Sequence, residues 1–414
     1  MNPNDTISIL VASDLHLGHA STDPVRQNDP FVAFEEILNL AHAHSVDLLL
    51  LGGDIFHERK PSQFVLRKTF QLLTKYCFGD KHIQLSVLTD QSELVSKRVN
   101  FLNENINVSL PIFTINGNHD EPTGDSNISP LDVLSEAGLI NYLGKLGSLT
   151  PNSILVKPCV LEKGQTKIAL YGLPYVNESR MHRLFENDRV AFDKPYSTGE
   201  VFNILLLHQS RHQRAGFQSK AYMTPDYIKK HELIDLIVWG HEHFSDIVSN
   251  QVPEIIQPGS PVPTSMHKSN QGIKYASLVQ VNKCRRKITR IPLLYSRYFN
   301  YFNLSLHDEF GDYRPSEAEI CVTLKVKTEE FLERMDVIRE EIKQKELQSR
   351  VESGFNSYLT EIPVYIHTQM ARVKVDFGDL PLFSSKNLIL SSSQKLSIMV
   401  IYSTLFPNRN NSLH

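Results

Sequence analysis

Cysteine is scarce in this chain. Its four residues, Cys77, Cys159, Cys284 and Cys321, are far apart and lack metal-ligand spacing. That excludes a disulfide scaffold and reads as reduced thiols in a cytosolic or nuclear protein. Long apolar runs are missing as well. No stretch reaches the roughly 18 apolar residues of a membrane span, so none is expected. The N-terminus has no charged segment followed by a long apolar one, so no secretory signal is expected. Nor is there an excess of basic charge: 43 Lys and Arg stand against 46 Asp and Glu, a formal net charge of −3. A polyanionic partner would therefore have to be met by a local patch. No internal repeat is visible, and low complexity is confined to Ser391–Ser393.

What remains is an ordinary globular composition, 41% hydrophobic and 21% charged over 414 residues, enough for one large domain and a smaller one. Up to about residue 280, short apolar runs end abruptly in polar clusters. These runs are Ile7–Ala12, Val46–Leu51, Ile112–Ile115, Ile168–Tyr171, Phe202–Leu207 and Leu233–Trp239. They are too short for buried helices and read as strands. Helical spacing lies between them at Phe31–His44, Ser62–Cys77 and Pro130–Leu143. The alternation predicts an α/β layered fold with strands buried on both faces and a site beyond their carboxyl ends. After about residue 290 the pattern changes. Strands are expected at Tyr298–Leu306, Glu319–Val326 and Ala371–Phe377. A helix is expected over Thr328–Gln348, with Phe331, Met335, Ile338 and Ile342 on one face. The expected organisation is a main domain at 1–290, a small α/β domain at 291–380 and a weakly ordered tail at 381–414.

Five polar clusters follow the predicted strands: Asp14-Leu15-His16, Gly53-Asp54-Ile55-Phe56-His57, Gly117-Asn118-His119-Asp120, His208, and Gly240-His241-Glu242-His243. Each alone has a bland explanation, since Asp-x-His and His-x-His recur by chance and Gly-Asn suits a turn. Five in succession, each at a strand end, do not. Carboxylate, amide and imidazole donors without thiolate suit divalent manganese, iron or zinc. Two such ions about 3.5–4 Å apart can clamp a phosphodiester and activate a water. One carboxylate must bridge them, and Asp54 is the candidate. Gly52 and Gly53 would allow close approach of the backbone.

These residues resemble the calcineurin-like metallophosphoesterase superfamily. The serine/threonine phosphatase branch carries Gly-Asp-x-x-Asp-Arg-Gly and Gly-Asn-His-Glu, whereas this chain has Gly53–Ser62 (GDIFHERKPS) and Gly-Asn-His-Asp. Those segments resemble the double-strand-break repair nuclease of the MRN/MRX complex, whose bacterial relative is SbcD. So do Asp23–Asp29, Leu88–Ser92, Leu207–Ser210, Val238–His243 and Gln257–Ser260. The first two look eukaryotic. The resemblance covers residues 5–305 well and continues weakly to Ala371–Phe377. It implies a β-sandwich metallophosphoesterase core flanked by helices, with a small α/β capping, DNA-binding domain. It further implies manganese-dependent cleavage of DNA, as a 3′-to-5′ exonuclease on duplex ends and an endonuclease on single strands, in the nucleus. By resemblance, Asp14, His16, Asp54 and His243 hold one ion, and Asp54, Asn118, His208 and His241 the other. His119 would orient the scissile phosphate or protonate the leaving 3′ oxygen. Asp120 would fix its ring, and His57 would support the site. Eukaryotic members usually continue into a basic Gly/Arg-rich tail, which is not seen before His414.

Partners are also implied. They are DNA, a second copy of the chain, a coiled-coil ABC-type ATPase, and a nibrin/Xrs-type adaptor met by the insertion at 79–110; no membrane is expected. The dimer would form through two apolar stripes on Ser62–Cys77 (Val65, Thr69, Leu72, Tyr76 and Leu66, Phe70, Leu73, Cys77) with the helix near Leu131–Leu143. A deeply packed helix is the alternative. For the insertion, the alternative is a disordered surface loop. Two basic groups read equally as phosphate contacts or solvated faces: Lys283–Arg290, and the loop with Arg211, His212, Arg214 and Lys220.

Overall fold

The computed structural model describes residues 2–148, 150–196, 199–211, 222–311, 313, 316–352, 370–376 and 397–403. The chain divides into two compact units. The first comprises the residues up to Thr264 together with Lys274–Ser296, and the second Ser265–Ile273 with the described residues after Ser296.

The first unit is built on two sheets. In spatial order one contains Arg285–Pro292, Tyr275–Asn282, Ile7–Ala12, Leu48–Leu51, Ile112–Thr114 and Asn141–Tyr142. The other contains Asp246–Val248, Glu254–Gln257, Leu236–Gly240, Phe202–His208, Thr166–Leu173, Pro158–Lys163 and Ser86–Val87. Successive strand residues point to opposite faces, so each continuous apolar run supplies two cores. Ile7, Ile9, Val11, Leu48 and Leu50 of one sheet meet Ile204, Leu206, Leu236 and Val238 of the other in a core between the sheets. Leu10, Leu49 and Leu51 face outward onto Phe31, Phe34, Ile37 and Val65 of helices Asp29–Ala43 and Gln63–Cys77. Leu205, Leu207, Ile237 and Trp239 face Met181, Leu184 and Phe185 of helix Glu178–Glu186. The expected β-sandwich with flanking helices follows from this double burial.

Ile7–Ala12, Leu48–Leu51 and Ile112–Thr114 run parallel as neighbours, as do Thr166–Leu173, Phe202–His208 and Leu236–Gly240. Within each sheet their carboxyl ends share one edge, and the polar clusters lie beyond those edges.

Several local expectations change. The helix expected to run to Leu143 is only Pro130–Glu136, because the backbone turns at Gly138 (φ +72°) and Asn141–Tyr142 joins the first sheet. On Gln63–Cys77, Val65, Thr69, Leu73, Tyr76 and Cys77 are buried, whereas Leu66, Phe70 and Leu72 are partly exposed. One broad face thus belongs to the core. The insertion at 79–110 is anchored. Ser86–Val87 pairs with Pro158–Lys163, Val99 is buried, and Asn100 exchanges hydrogen bonds with Asn141.

In the second unit, Phe299–Ser305, Met370–Asp376 and Ser397–Ser403 form a parallel sheet. The third strand falls in the segment expected to be weakly ordered. Glu319–Val326, expected as a strand, belongs instead to helix Glu317–Glu352. A reciprocal capping box overrides the β-branched composition there. The Ser316 amide donates to Glu319 Oε2 at 2.7 Å, and the Glu319 amide to Ser316 Oγ at 3.4 Å.

Candidate metal centre

The site is assembled by loops that grip one another through the backbone. The Asp14 amide donates to the Gly53 carbonyl at 3.0 Å, and the His16 amide to the Asp54 carbonyl at 3.0 Å. Four of the expected ligands sit in the left-handed region: Asp14 (φ 55°), His16 (47°), Asp54 (51°) and His241 (79°). Such conformations cost about 1–3 kcal/mol each and persist where the surroundings over-determine them, typically at functional sites. Glycine is required beside them. A Cβ on Gly53 (φ +98°) would lie 2.6 Å from His208 Nδ1, and one on Gly117 would lie 2.0 Å from Asp54 Oδ1.

The side chains converge with lone pairs facing lone pairs. Asn118 Oδ1 lies 2.9 Å from His241 Nδ1 and 3.3 Å from His208 Nε2, which is 3.4 Å from Asp54 Oδ2. His208 donates from Nδ1 to the Gly52 carbonyl at 2.7 Å, leaving Nε2 free to coordinate. On the other side of Asp54, His16 Nε2 lies 3.8 Å from Asp54 Oδ2 and has no hydrogen-bond partner although it is buried. Asp14, His16 and His243 bring donor atoms within 4.8 Å of one another, and so do Asp14, Asp54 and His208. Donors around 2.0–2.2 Å from a common ion stand about 3–3.5 Å apart. The separations joining His241, Asn118, His208 and Asp54 have that spacing, and an ion would give the orphaned His16 nitrogen a partner. The residues present therefore fit a pair of metal ions, with Asp54 Oδ2 placed between His16 and His208.

Outer partners orient the ligands. Asp14 accepts from Ser13 Oγ at 2.5 Å and from the His241 amide at 3.1 Å. His16 Nδ1 meets His57 Nδ1 at 3.3 Å, and His243 Nδ1 meets Thr264 Oγ1 at 2.5 Å. Trp239, the only tryptophan, donates from Nε1 to the Gln209 carbonyl at 2.8 Å and braces the loop behind His208.

His119 stands beside this cage. Its amide donates to Asp54 Oδ1 at 2.8 Å, its Nδ1 donates to the His57 carbonyl at 2.7 Å, and its ring stacks on that of His57 with centroids 5.1 Å apart. Asp120 does not fix this ring, contrary to expectation. Its carboxylate is turned inward, accepting from the amides of Gly117 (2.7 Å), Ile55 (2.6 Å) and Phe56 (3.2 Å). Three loop amides need a buried acceptor there, so Asp120 welds the second and third motifs together while the backbone of His57 holds His119.

Electrostatics separates the ligands. Burial alone would raise the Asp54 carboxyl, but the His208 and His16 imidazoles outweigh it and hold Asp54 well below the usual carboxylate range. Burial opposes protonation of His208, yet the Asp54 and Asp14 carboxylates lift it to about 9. Burial, with Lys274 next in weight, lowers His243 to about 3, and burial holds His16 well below its ordinary value. Burial pushes Asp14 up to about 7. His16 and His243 are thus neutral donors, and a cation at Asp54 and His208 would replace a proton.

No motif flags Tyr175 and Thr264, which lie on loops, or Glu178, which opens helix Glu178–Glu186. Weaker signals resolve unevenly. The Arg211 guanidinium is engaged by Asp246 (3.2 Å) and Gln257 (3.0 Å), a structural role, while His212, Arg214 and Lys220 lie outside the described residues. The basic run Arg285–Arg290 lies on the exposed edge strand of the first sheet, with Arg286 paired to Glu254 at 2.8 Å.

Comparison with known proteins agrees with this geometry. Residues 7–245 match the calcineurin-like phosphoesterase family. The double-strand break repair protein MRE11 of Macaca fascicularis is 37% identical over 346 residues, covering 80% of this chain and 48% of the relative. The protein of the same name from Oryza sativa subsp. indica is 40% identical over 321 residues, covering 74% and 45%. That from Arabidopsis thaliana is 38% identical over 329 residues, covering 76% and 45%. The chain spans about half the length of these curated relatives. With the donor cage formed by the residues of the matched segment, the chain belongs to the calcineurin-like phosphoesterase family of metal-dependent hydrolases, and within it its kinship is with the MRE11-type double-strand break repair proteins.

Proposed function

We propose that this chain is a manganese-dependent DNA nuclease of a double-strand-break repair complex, acting as a 3′-to-5′ exonuclease on duplex ends and as an endonuclease on single strands. The observation that supports it most is the position of Asp54 Oδ2 between His16 Nε2 (3.8 Å) and His208 Nε2 (3.4 Å), with the His119 ring held beside them by the His57 carbonyl. Asp14, His16, Asp54 and His243 would hold one ion, and Asp54, Asn118, His208 and His241 the other. When bound, the pair supplies Lewis-acid clamping of a phosphodiester and a water made nucleophilic near neutral pH. Manganese suits the mixture of imidazole and oxygen donors better than magnesium, which prefers an all-oxygen shell.

The chain's own residues do the remainder. Asp120 fixes the spacing between the loops that carry Asp54 and Asn118. The His57 carbonyl accepts from His119 Nδ1, aiming Nε2 away from that anchor and toward a substrate oxygen. From there His119 steadies the phosphate or protonates the leaving 3′ oxygen. The second unit serves as a capping, DNA-binding domain within 291–380. The working assembly is a nuclear complex of two copies, meeting through the exposed side of Gln63–Cys77, with a coiled-coil ATPase and with an adaptor on the 79–110 insertion.

The test is a nuclease assay on the purified chain with 3′-labelled duplex and circular single-stranded DNA, alongside nitrophenyl phosphodiester and phosphomonoester. Cleavage of DNA and diester in manganese, much weaker in magnesium and lost in Asp54→Asn, is expected. Turnover of the monoester alone, or equal rates in magnesium, would overturn the assignment.

A further inference from the structure

The loop after strand Thr166–Leu173 carries none of the five motifs, yet it closes over the second donor cluster. The Tyr175 amide donates to the Asn116 carbonyl at 3.1 Å, which ties the loop to the third motif. The Tyr175 ring stacks on that of His241, with centroids 6.2 Å apart and planes at 24°. Three residues later, Glu178 opens helix Glu178–Glu186, where the helix dipole favours an anion. Its Oε1 lies 3.5 Å from His241 Nε2 and accepts the hydroxyl proton of Ser210, two residues beyond His208. The other ring nitrogen of His241, Nδ1, faces Asn118 Oδ1 at 2.9 Å.

We propose that Glu178 is the positioning residue for the second ion, holding the His241 ring with its proton on Nε2 and its lone pair on Nδ1. This rests on the two-ion reading above. The logic is that of a two-sided ring. A ligating imidazole has one nitrogen for the metal, and its orientation and basicity are set by what the other nitrogen meets. His208 meets a backbone carbonyl, His243 a hydroxyl and His16 an imidazole. His241 meets a carboxylate, which draws the Nε2 proton and raises the donor strength of Nδ1. Through Ser210 the same carboxylate also joins the strand end that delivers His208 to the strand end that delivers His241. Glu178 thus faces the His241 ring and, through Ser210, braces the strand end that carries His208.

The experiment is calorimetric titration of the metal-free chain with manganese, comparing the parent, Glu178→Ala, Glu178→Gln and Glu186→Ala at the far end of the same helix. Thermal melts of the metal-free proteins check folding. Glu178→Ala is expected to weaken one of the two ions by about 10–100-fold and to leave the other unchanged. Glu178→Gln should fall between, since its amide oxygen still accepts from Nε2 without a full charge. Glu186→Ala should match the parent. Long-range ¹⁵N NMR of histidine-labelled, zinc-loaded protein should find the His241 proton on Nε2 in the parent. Two ions bound with parent affinity in Glu178→Ala, or both weakened equally, would overturn the proposal. A parent that binds fewer than two ions would remove the two-ion reading itself.

Discussion

Replacing His119 with alanine separates the metal cage from the chemistry performed beside it. The substitution removes a ring whose Nδ1 donates to the His57 carbonyl at 2.7 Å and which touches Asp54 only through the backbone amide, at 2.8 Å. The alanine keeps that amide, so Asp54 keeps its support and the cage should still fill with two ions. The structural cost is one hydrogen bond and the stacking contact with His57, about 1–2 kcal/mol. The catalytic cost is larger. A ring that donates from Nδ1 to a carbonyl can also donate from Nε2 only when doubly protonated, and that second proton is the one available to the leaving 3′ oxygen. Losing a general acid costs about 10²–10⁴-fold in rate, or about 3–5 kcal/mol of barrier. The assay compares DNA with a nitrophenyl phosphodiester, whose leaving group needs no proton. Expected are normal manganese stoichiometry, near-normal DNA binding, a large loss on DNA and a small loss on the nitrophenyl diester. Equal losses on both substrates with the metals intact would refute proton donation in favour of phosphate binding, and loss of metal would make His119 a ligand.

Asp54→Ala should abolish hydrolysis and lower the occupancy of both ions, since its carboxylate lies between the two donor clusters; elemental analysis giving two ions at parent affinity would contradict this. Manganese binding should release protons, because the metal competes with the proton on His208 (lifted to about 9) and, at lower pH, with that on Asp14 (about 7). Affinity should therefore rise with pH up to about 9, most steeply below about 7, and calorimetry in buffers of different ionisation enthalpy that finds no proton release between pH 6 and 8 would refute it. On helix Gln63–Cys77, Phe64 is 48% exposed and Phe70 partly so. Phe64→Asp with Phe70→Asp should give a folded monomer if this face meets a second copy, and a folded dimer by light scattering would exclude it. Leu73→Asp, at a position 2% exposed, should instead unfold the chain by burying an unpaired charge.

The strand runs were legible because each short apolar segment fills two cores and ends at a residue of the candidate site. Ile7–Ala12 leads to Asp14, Leu48–Leu51 to Asp54 and Leu236–Gly240 to His241. The candidate donor set was legible for the same reason, since unlike residues able to coordinate a metal recur at successive strand ends. Three things were not. The role of Asp120 depends on which loop amides lack partners, and sequence does not display unpaired amides. Glu178 carries no motif and reaches His241 only because two parallel strands bring their loops together. Glu319–Val326 has a β-branched composition, and the short-range Ser316–Glu319 box decides against it. Propensity was outvoted there by a cap that the sequence also contains.

The central claim is that one carboxylate joins two ions between the sheets' converging strand ends. Anomalous diffraction from manganese-soaked crystals tests it most directly. Two peaks about 3.5–4 Å apart are predicted, one among Asp14, His16 and His243, the other among Asn118, His208 and His241, with Asp54 touching both. A single peak, or a peak ligated by His57 and His119 in place of the second cluster, would contradict it.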